Sequence, residues 1–318
     1  MSTGVPPRTA DRSGASSPTA APPRRRRRTV ESRRARTAWA FLAPALIVIA
    51  VFVVWPMAKA LWTSFTDAGL IRGGSWVGLD NYTSLPSDQR FTNALRNTVI
   101  YAIVTTPVSV VIALGLALAL NRRLPARGLF RAAVFLPFVA SLSILAIAWS
   151  FMLDPRIGML SAWLGKVGID LGNGVNDPDL ALPAVMFVGI WRNVGFFMVM
   201  FLAGLQSIPR ELNEAATIDG TGAWTRFRYI TVPLLSNTTM FVVVIAAIFS
   251  FQAFDQIFTM TGGGPFFRSE TLVLLIYSRG FTNLDMGSAT AMSWVLVAIV
   301  MVISVLQLGY FNRKVVRY

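Results

Sequence analysis

The sequence predicts an all-α integral membrane protein with six transmembrane helices and a cytoplasmic helix-turn-helix insert between the fourth and fifth. Three observations carry that prediction. Hydrophobic residues make up 54% of the 318-residue chain and charged residues 14%, against about 45–50% and about 25% in soluble domains. The apolar residues gather in six long runs that lack the two-residue alternation of a barrel strand. The charges crowd into short segments between those runs. A run of about 20 apolar residues crosses about 30 Å of hydrocarbon as a helix, and a helix satisfies its own backbone groups there.

In chain order, residues 1–36 are rich in Pro, Ser, Ala, Thr and Arg. They hold too little apolar surface to offset ordering entropy and are expected to form a disordered, basic, cytoplasmic tail. The arginines at 24–28, with Arg33, Arg34 and Arg36, stand before the first apolar run as a positive anchor and a contact for anionic lipid. That run is too long for a signal-peptide core, and no clear A-x-A cleavage site follows it. Residues 37–318 are read as one six-span domain. The spans are expected at about 38–61, with Pro44 and Pro56; 98–120, with Pro107; 132–153; 181–205, interrupted by Arg192; 235–260; and 287–310. The prolines of the first two are expected to kink them.

Orientation follows from the basic residues of the connections. The two tails, 121–131 and 206–234 together hold twenty Lys and Arg, while 67–93, 154–180 and 261–286 hold six. Both termini and the 206–234 insert are therefore expected in the cytoplasm, and Asp154, Asp170, Asp177 and Asp179 fall on the far side. The net charge of +14 is explained by this topology rather than by nucleic acid, and the membrane is the expected environment. Cysteine and histidine are both absent. That removes disulfides, thiol chemistry and the commonest metal ligand and general base, so neither a metal, a cofactor nor an enzymatic role is expected.

The insert is the most informative polar segment. Residues 210–218 read as a helix that Gly220 stops, since glycine takes the left-handed position after a helix end. Thr221 is expected to cap a second helix at about 223–230, and Pro233 to close the insert. One reading is an interfacial hairpin lying on lipid. The other is a docking element: Glu211, Glu214 and Asp219 would repel an anionic leaflet and suit basic groups on a partner, and the flat Ala215–Ala216 pair suits close helix packing.

Glu214, Ala215 and Ala216, three residues, Gly220, nine residues, then Ile230 and Pro233 resemble the cytoplasmic signature of permease subunits of binding-protein-dependent ATP-binding cassette importers. Asp219 before Gly220 is also part of the pattern, and Val232 stands where the family usually has Leu. The segments WRNVGFFMVMFLAGLQSIPRELNEAATIDG and FDQIFTMTGGGP resemble the carbohydrate-uptake group, the maltose and glycerol-phosphate permeases, with the likeness covering about residues 38–315. The resemblance implies a bacterial cytoplasmic (inner) membrane location and a coupling helix in 206–234 docked on an ATPase subunit. It also implies two such ATPases, a second permease subunit completing a heterodimer, an extracytoplasmic solute-binding protein, and alternation between two states. The chain carries no G-x-x-x-x-G-K-[ST] phosphate loop, which assigns ATP hydrolysis to the partners.

Polar residues inside spans are functional candidates. Arg192 and Asn193 stand in the fourth run, and Gln252, Asp255 and Gln256 in the fifth. Their two readings are contacts along a solute path and bridges between helices. For Arg192 the candidates are a carbonyl or partner acid, or an anionic solute. Gly262, Gly263, Gly264 and Pro265 after the fifth run form either a tight turn or a contact for the binding protein. Nucleotide binding there is excluded because no strand precedes it. The expected function is half of a translocation path for a sugar or sugar-like solute. The alternative is a stand-alone secondary carrier or channel, which favours intramembrane acid or histidine relays and doubled repeats.

Overall fold

The computed structural model describes residues 25–122, 125–168 and 172–312. Among the described residues the regular structure is helical, apart from two isolated bridges, Thr66 with Trp76 and Gly69 with Asp285. The chain divides into two units, residues 1–58 and 59–318.

In the first unit, helix runs from Arg25 to Ile49, so it begins well before position 36, the expected end of the tail. Arginine is a good helix former, and a span already nucleated extends at low cost into such residues. The expectation for residues 1–24 lies outside the described residues. The first span, α1 (Thr37–Thr63), begins in this unit and contains a π-helical turn at Ala50–Val54. In a regular α-helix the Pro56 ring would press on the carbonyl four residues earlier; the wider turn relieves that contact.

In the second unit, α2 (Gln89–Leu120) starts nine residues before the expected 98. Asp88 caps it, accepting from the backbone N–H of Arg90 at 2.8 Å and of Phe91 at 3.3 Å. The third expected span, 132–153, is not one straight helix. It consists of α3 (Arg127–Val139) and α4 (Leu142–Met152), bent by 98°. Pro137 deprives α3 of a ladder donor, and Ala140 and Ser141 are extended. The fourth span, α5 (Ala181–Gln206), lies where the apolar run places it. The insert follows as α6 (Arg210–Ile218), α7 (Ala223–Arg226) and a π turn at Phe227–Thr231. The fifth run divides into α8 (Ser236–Phe251) and α9 (Asp255–Met260), which together form a 25-residue candidate span. A helix absent from the sequence reading, α10 (Leu272–Tyr277), precedes the last span, α11 (Met286–Asn312). Among the described residues five helices are long and apolar enough to cross a membrane, and the bent α3–α4 pair is the sixth when taken as one span.

Helix α5 is the hub of the second unit. Its Phe197, Met198 and Phe201 are buried with Ala113 and Ala117 of α2 and Val242 and Ala246 of α8. Small residues admit this closeness, as in other membrane bundles. A Cβ at Gly195 would strike the Val134 carbonyl and the Phe135 backbone of α3, and one at Gly189 would strike the Tyr101 hydroxyl of α2.

At the end away from the insert, the 261–286 segment is fastened to the start of α2. Glu270, buried, takes a forked ion pair from Arg90 at 2.9 and 2.7 Å. Asn97 Nδ2 donates to the Glu270 and Phe267 carbonyls at 3.0 and 3.1 Å, and Thr98 Oγ1 accepts from Leu272 N–H at 2.8 Å. Arg279 pairs with Asp88, the α2 cap. Leu272 and Leu275 of α10 then pack on Phe91 and Ala94.

Candidate functional site

Two helix interruptions and the middle of α5 border an open cavity of about 290 Å³. Between α8 and α9, residues 252–254 leave the helix; Phe254 has φ −139 and ψ −61. The Ala253 carbonyl freed by this break accepts from Thr271 Oγ1 at 3.1 Å. The α3–α4 bend supplies Phe138 and Leu142 to the same cavity, and α5 supplies Gly189, Arg192 and Asn193.

All five polar candidates from the fourth and fifth runs, Arg192, Asn193, Gln252, Asp255 and Gln256, line this one cavity. Their environments differ. Gln256 is buried, and its Nε2 donates to the Tyr101 hydroxyl at 2.7 Å; it bridges helices. Gln252 and Asp255 are exposed within this chain. Arg192 donates from Nη1 to Asn193 Oδ1 at 3.2 Å and lies with Cζ 4.9 Å from the centre of the Phe138 ring. Its Nε is buried without a hydrogen-bond partner. Phe138 stacks on Phe196, with ring centres 4.5 Å apart and planes within 11°, and Phe249 extends the aromatic wall. The cavity thus combines flat apolar faces, amides, one cation and one carboxylate. That aromatic wall was not anticipated; the phenylalanines were indistinguishable from ordinary lipid-facing residues in the sequence.

The insert folds as a tight elbow. Gly220, at φ +69, lets both bonds of a Schellman ending form: Thr221 N–H to the Ala216 carbonyl at 3.0 Å and Gly220 N–H to the Thr217 carbonyl at 3.1 Å. Thr221 does not cap the second helix as expected. Its hydroxyl donates back to the Ala216 carbonyl, and Gly222 occupies the cap position of α7 without a side-chain bond. Glu214, Ala215, Asp219 and Gly220 are exposed, Ala216 is buried, and Ile230 and Pro233 are half-buried. Ile218, 87% exposed, and Trp224, 74% exposed, project beside them. Glu214 also faces a polar cavity of about 760 Å³ with Arg127, Arg131 and Arg210.

The Thr261–Pro265 segment is a compact turn. Gly262 and Gly263 have φ +59 and +87, and Ser269 Oγ lies 2.7 Å from the Gly264 carbonyl. Gly262 is exposed, Gly263 buried, and Gly264 and Pro265 half-buried.

Among the described residues no group of three or more acidic side chains could hold a metal ion.

Residues 90–317 match the family described as the binding-protein-dependent transport system inner membrane component. The sn-glycerol-3-phosphate transport system permease protein UgpA of Agrobacterium fabrum is 35% identical over 276 residues, covering 86% of this chain and 94% of that protein. A probable ABC transporter permease protein of Pyrococcus horikoshii is 37% identical over 279 residues, covering 86% and 96%. Among solved structures, a bacterial ABC transporter involved in the import of the acidic polysaccharide alginate aligns with a TM-score of 0.77 at 23% identity, covering 90% of this chain and 99% of that one. This last likeness concerns the fold.

Proposed function

Since the chain belongs to the family of binding-protein-dependent transport system inner membrane components, we propose that it forms half of the translocation path for a sugar or sugar-like solute in an ATP-driven importer. The observation that carries this reading is the convergence of Arg192, Asn193, Gln252 and Asp255 on one cavity. Two interrupted helices border it, an arrangement that transporters use at solute sites because broken backbone is tolerated where it lines a cavity. Similarity to a glycerol-phosphate permease over most of both chains supports the carbohydrate class.

Coupling is assigned to residues 206–234. The elbow presents Glu214, Ala215, Asp219 and Gly220 at its surface, with Ile218 and Trp224 as exposed apolar anchors. An element of this shape fits a groove on a cytoplasmic ATPase, one of two expected in the assembly, and Ile230 and Pro233 join it to the fifth span. The second permease completes the path, and an extracytoplasmic binding protein delivers solute near Gly262–Pro265. Both termini are placed in the cytoplasm, in keeping with the twenty-to-six distribution of basic residues.

A photo-crosslinker at position 215, in the full chain expressed in its host, tests this reading. Capture of an ATP-binding subunit, identified by mass spectrometry, is expected. Adducts with lipid alone, or capture only of proteins beyond the outer membrane face, would sink it.

A further inference from the structure

Among the described residues Arg192 makes no ion pair within 4.0 Å, and Asp255, which lines the same cavity, acts on its charge only at longer range. Its guanidinium meets only the Asn193 side-chain oxygen and the face of Phe138 among those residues, while Nε is buried and unbonded. Nε of this half-buried side chain is thus left without a partner, which is costly unless an anion or water fills the place.

A second feature of the same sign lies alongside. Leu142, the first residue of the eleven-residue α4, also lines the cavity, and Ser141 before it makes no side-chain cap bond. The first N–H groups of a helix have no partner within it and carry partial positive charge. Apart from Asp255, the other walls are uncharged: the Asn193 and Gln252 amides suit hydroxyls, and Phe138 and Phe249 suit the apolar face of a ring.

We propose that this cavity receives a hydroxylated solute bearing one anionic group, a phosphate or a carboxylate, and that Arg192 is the residue that recognises the anion. The inference rests on the reading of the cavity as part of the solute path and adds the charge class. A neutral solute leaves the guanidinium unmatched, and a cationic one meets it directly. Asp255 opposes the anion at longer range, so its neutralisation strengthens binding.

Equilibrium binding to the full chain in lipid nanodiscs tests the proposal, with radiolabelled glucuronate, sn-glycerol 3-phosphate and glucose as probes. Both anions are expected to bind saturably and glucose more weakly. R192Q lowers anion binding roughly tenfold or more, the loss of one charge-assisted contact, and leaves glucose unchanged. R192K keeps part of the anion binding, D255N increases it, and R96Q, outside the cavity, has no effect. Glucose bound as tightly as glucuronate, or anion binding that survives R192Q, overturns the anion assignment and leaves the path intact. Failure of all three probes to bind overturns the path reading as well.

Discussion

Gln256 Nε2 donates a 2.7 Å hydrogen bond to the phenolic oxygen of Tyr101, and both side chains are buried. The bond ties α9 to α2 across the helix break. Gly189 is fixed by the same arrangement, because a Cβ there would collide with the phenol. Gln256 therefore holds the cavity wall together rather than meeting the solute. Gln256→Met leaves the Tyr101 hydroxyl buried without a partner, a cost of about 1–3 kcal/mol. Thermal unfolding in detergent should shift down while the KM for uptake stays near the wild-type value. A changed KM with unchanged stability would return Gln256 to the solute-contact residues.

Gln252 is predicted to behave in the opposite way. It sits four residues earlier, is exposed to the cavity, and its side chain makes no hydrogen bond among the described residues. Gln252→Ala should raise the KM for transport several-fold and leave folding and assembly intact. An unaltered KM would mean that this amide packs against the second permease.

The elbow makes a graded prediction. Gly220 has φ +69 and open space where a Cβ would stand, so Gly220→Ala carries only the backbone cost of the left-handed region, about 1–2 kcal/mol. Gly220→Pro fixes φ near −65° and removes the N–H that bonds Thr217. Both variants should reach the membrane; uptake should fall moderately in the first and be lost in the second, with ATP hydrolysis no longer responding to the loaded binding protein. Glu214→Lys reverses a surface charge and should uncouple in the same manner. Wild-type uptake in Gly220→Pro and Glu214→Lys would remove the coupling role.

Local pattern accounts for what the sequence made legible. The apolar runs located α5 and α11 within a residue or two, because membrane spans are set by length and hydropathy. Glycine chemistry located the end of α6. The breaks were harder to see: residues 140–141 and 252–254 lie inside apolar runs, and although Pro137 weakens the ladder before the first break, a proline in a span is equally compatible with a mild kink, as at Pro107 inside the unbroken α2. The six-residue LVLLIY of α10 is too short for a span and carries no helical period of its own, so the sequence does not distinguish it from the loop around it. The Thr221 hydroxyl was expected to cap the following helix, but the Schellman ending brings the Ala216 carbonyl within its reach and it bonds backward instead. The candidates of the fourth and fifth runs were identified as polar intrusions, but their sorting into bridge and cavity-facing groups needed Tyr101, which is 155 positions from Gln256 in the chain.

The same limit applies most strongly to Arg90 and Glu270, 180 positions apart, and their pair yields the last prediction. Glu270 is 1% exposed and its carboxylate is held by both arms of the Arg90 fork, with Arg90 also lying 4.3 Å from the centre of the Phe267 ring. Removing the arginine alone strands a buried carboxylate, which costs about 3–5 kcal/mol. Replacing both partners by apolar residues of similar volume leaves no charge to strand, and such exchanges are often neutral. Arg90→Leu and Glu270→Leu should therefore each lower the unfolding temperature sharply, while the double variant should recover much of the loss, a non-additivity expected of residues in direct contact. A double variant as unstable as the sum of the two single ones would mean that the pair is not coupled, and that Asn97, Thr98 and the α10 packing fasten this end of the bundle without it.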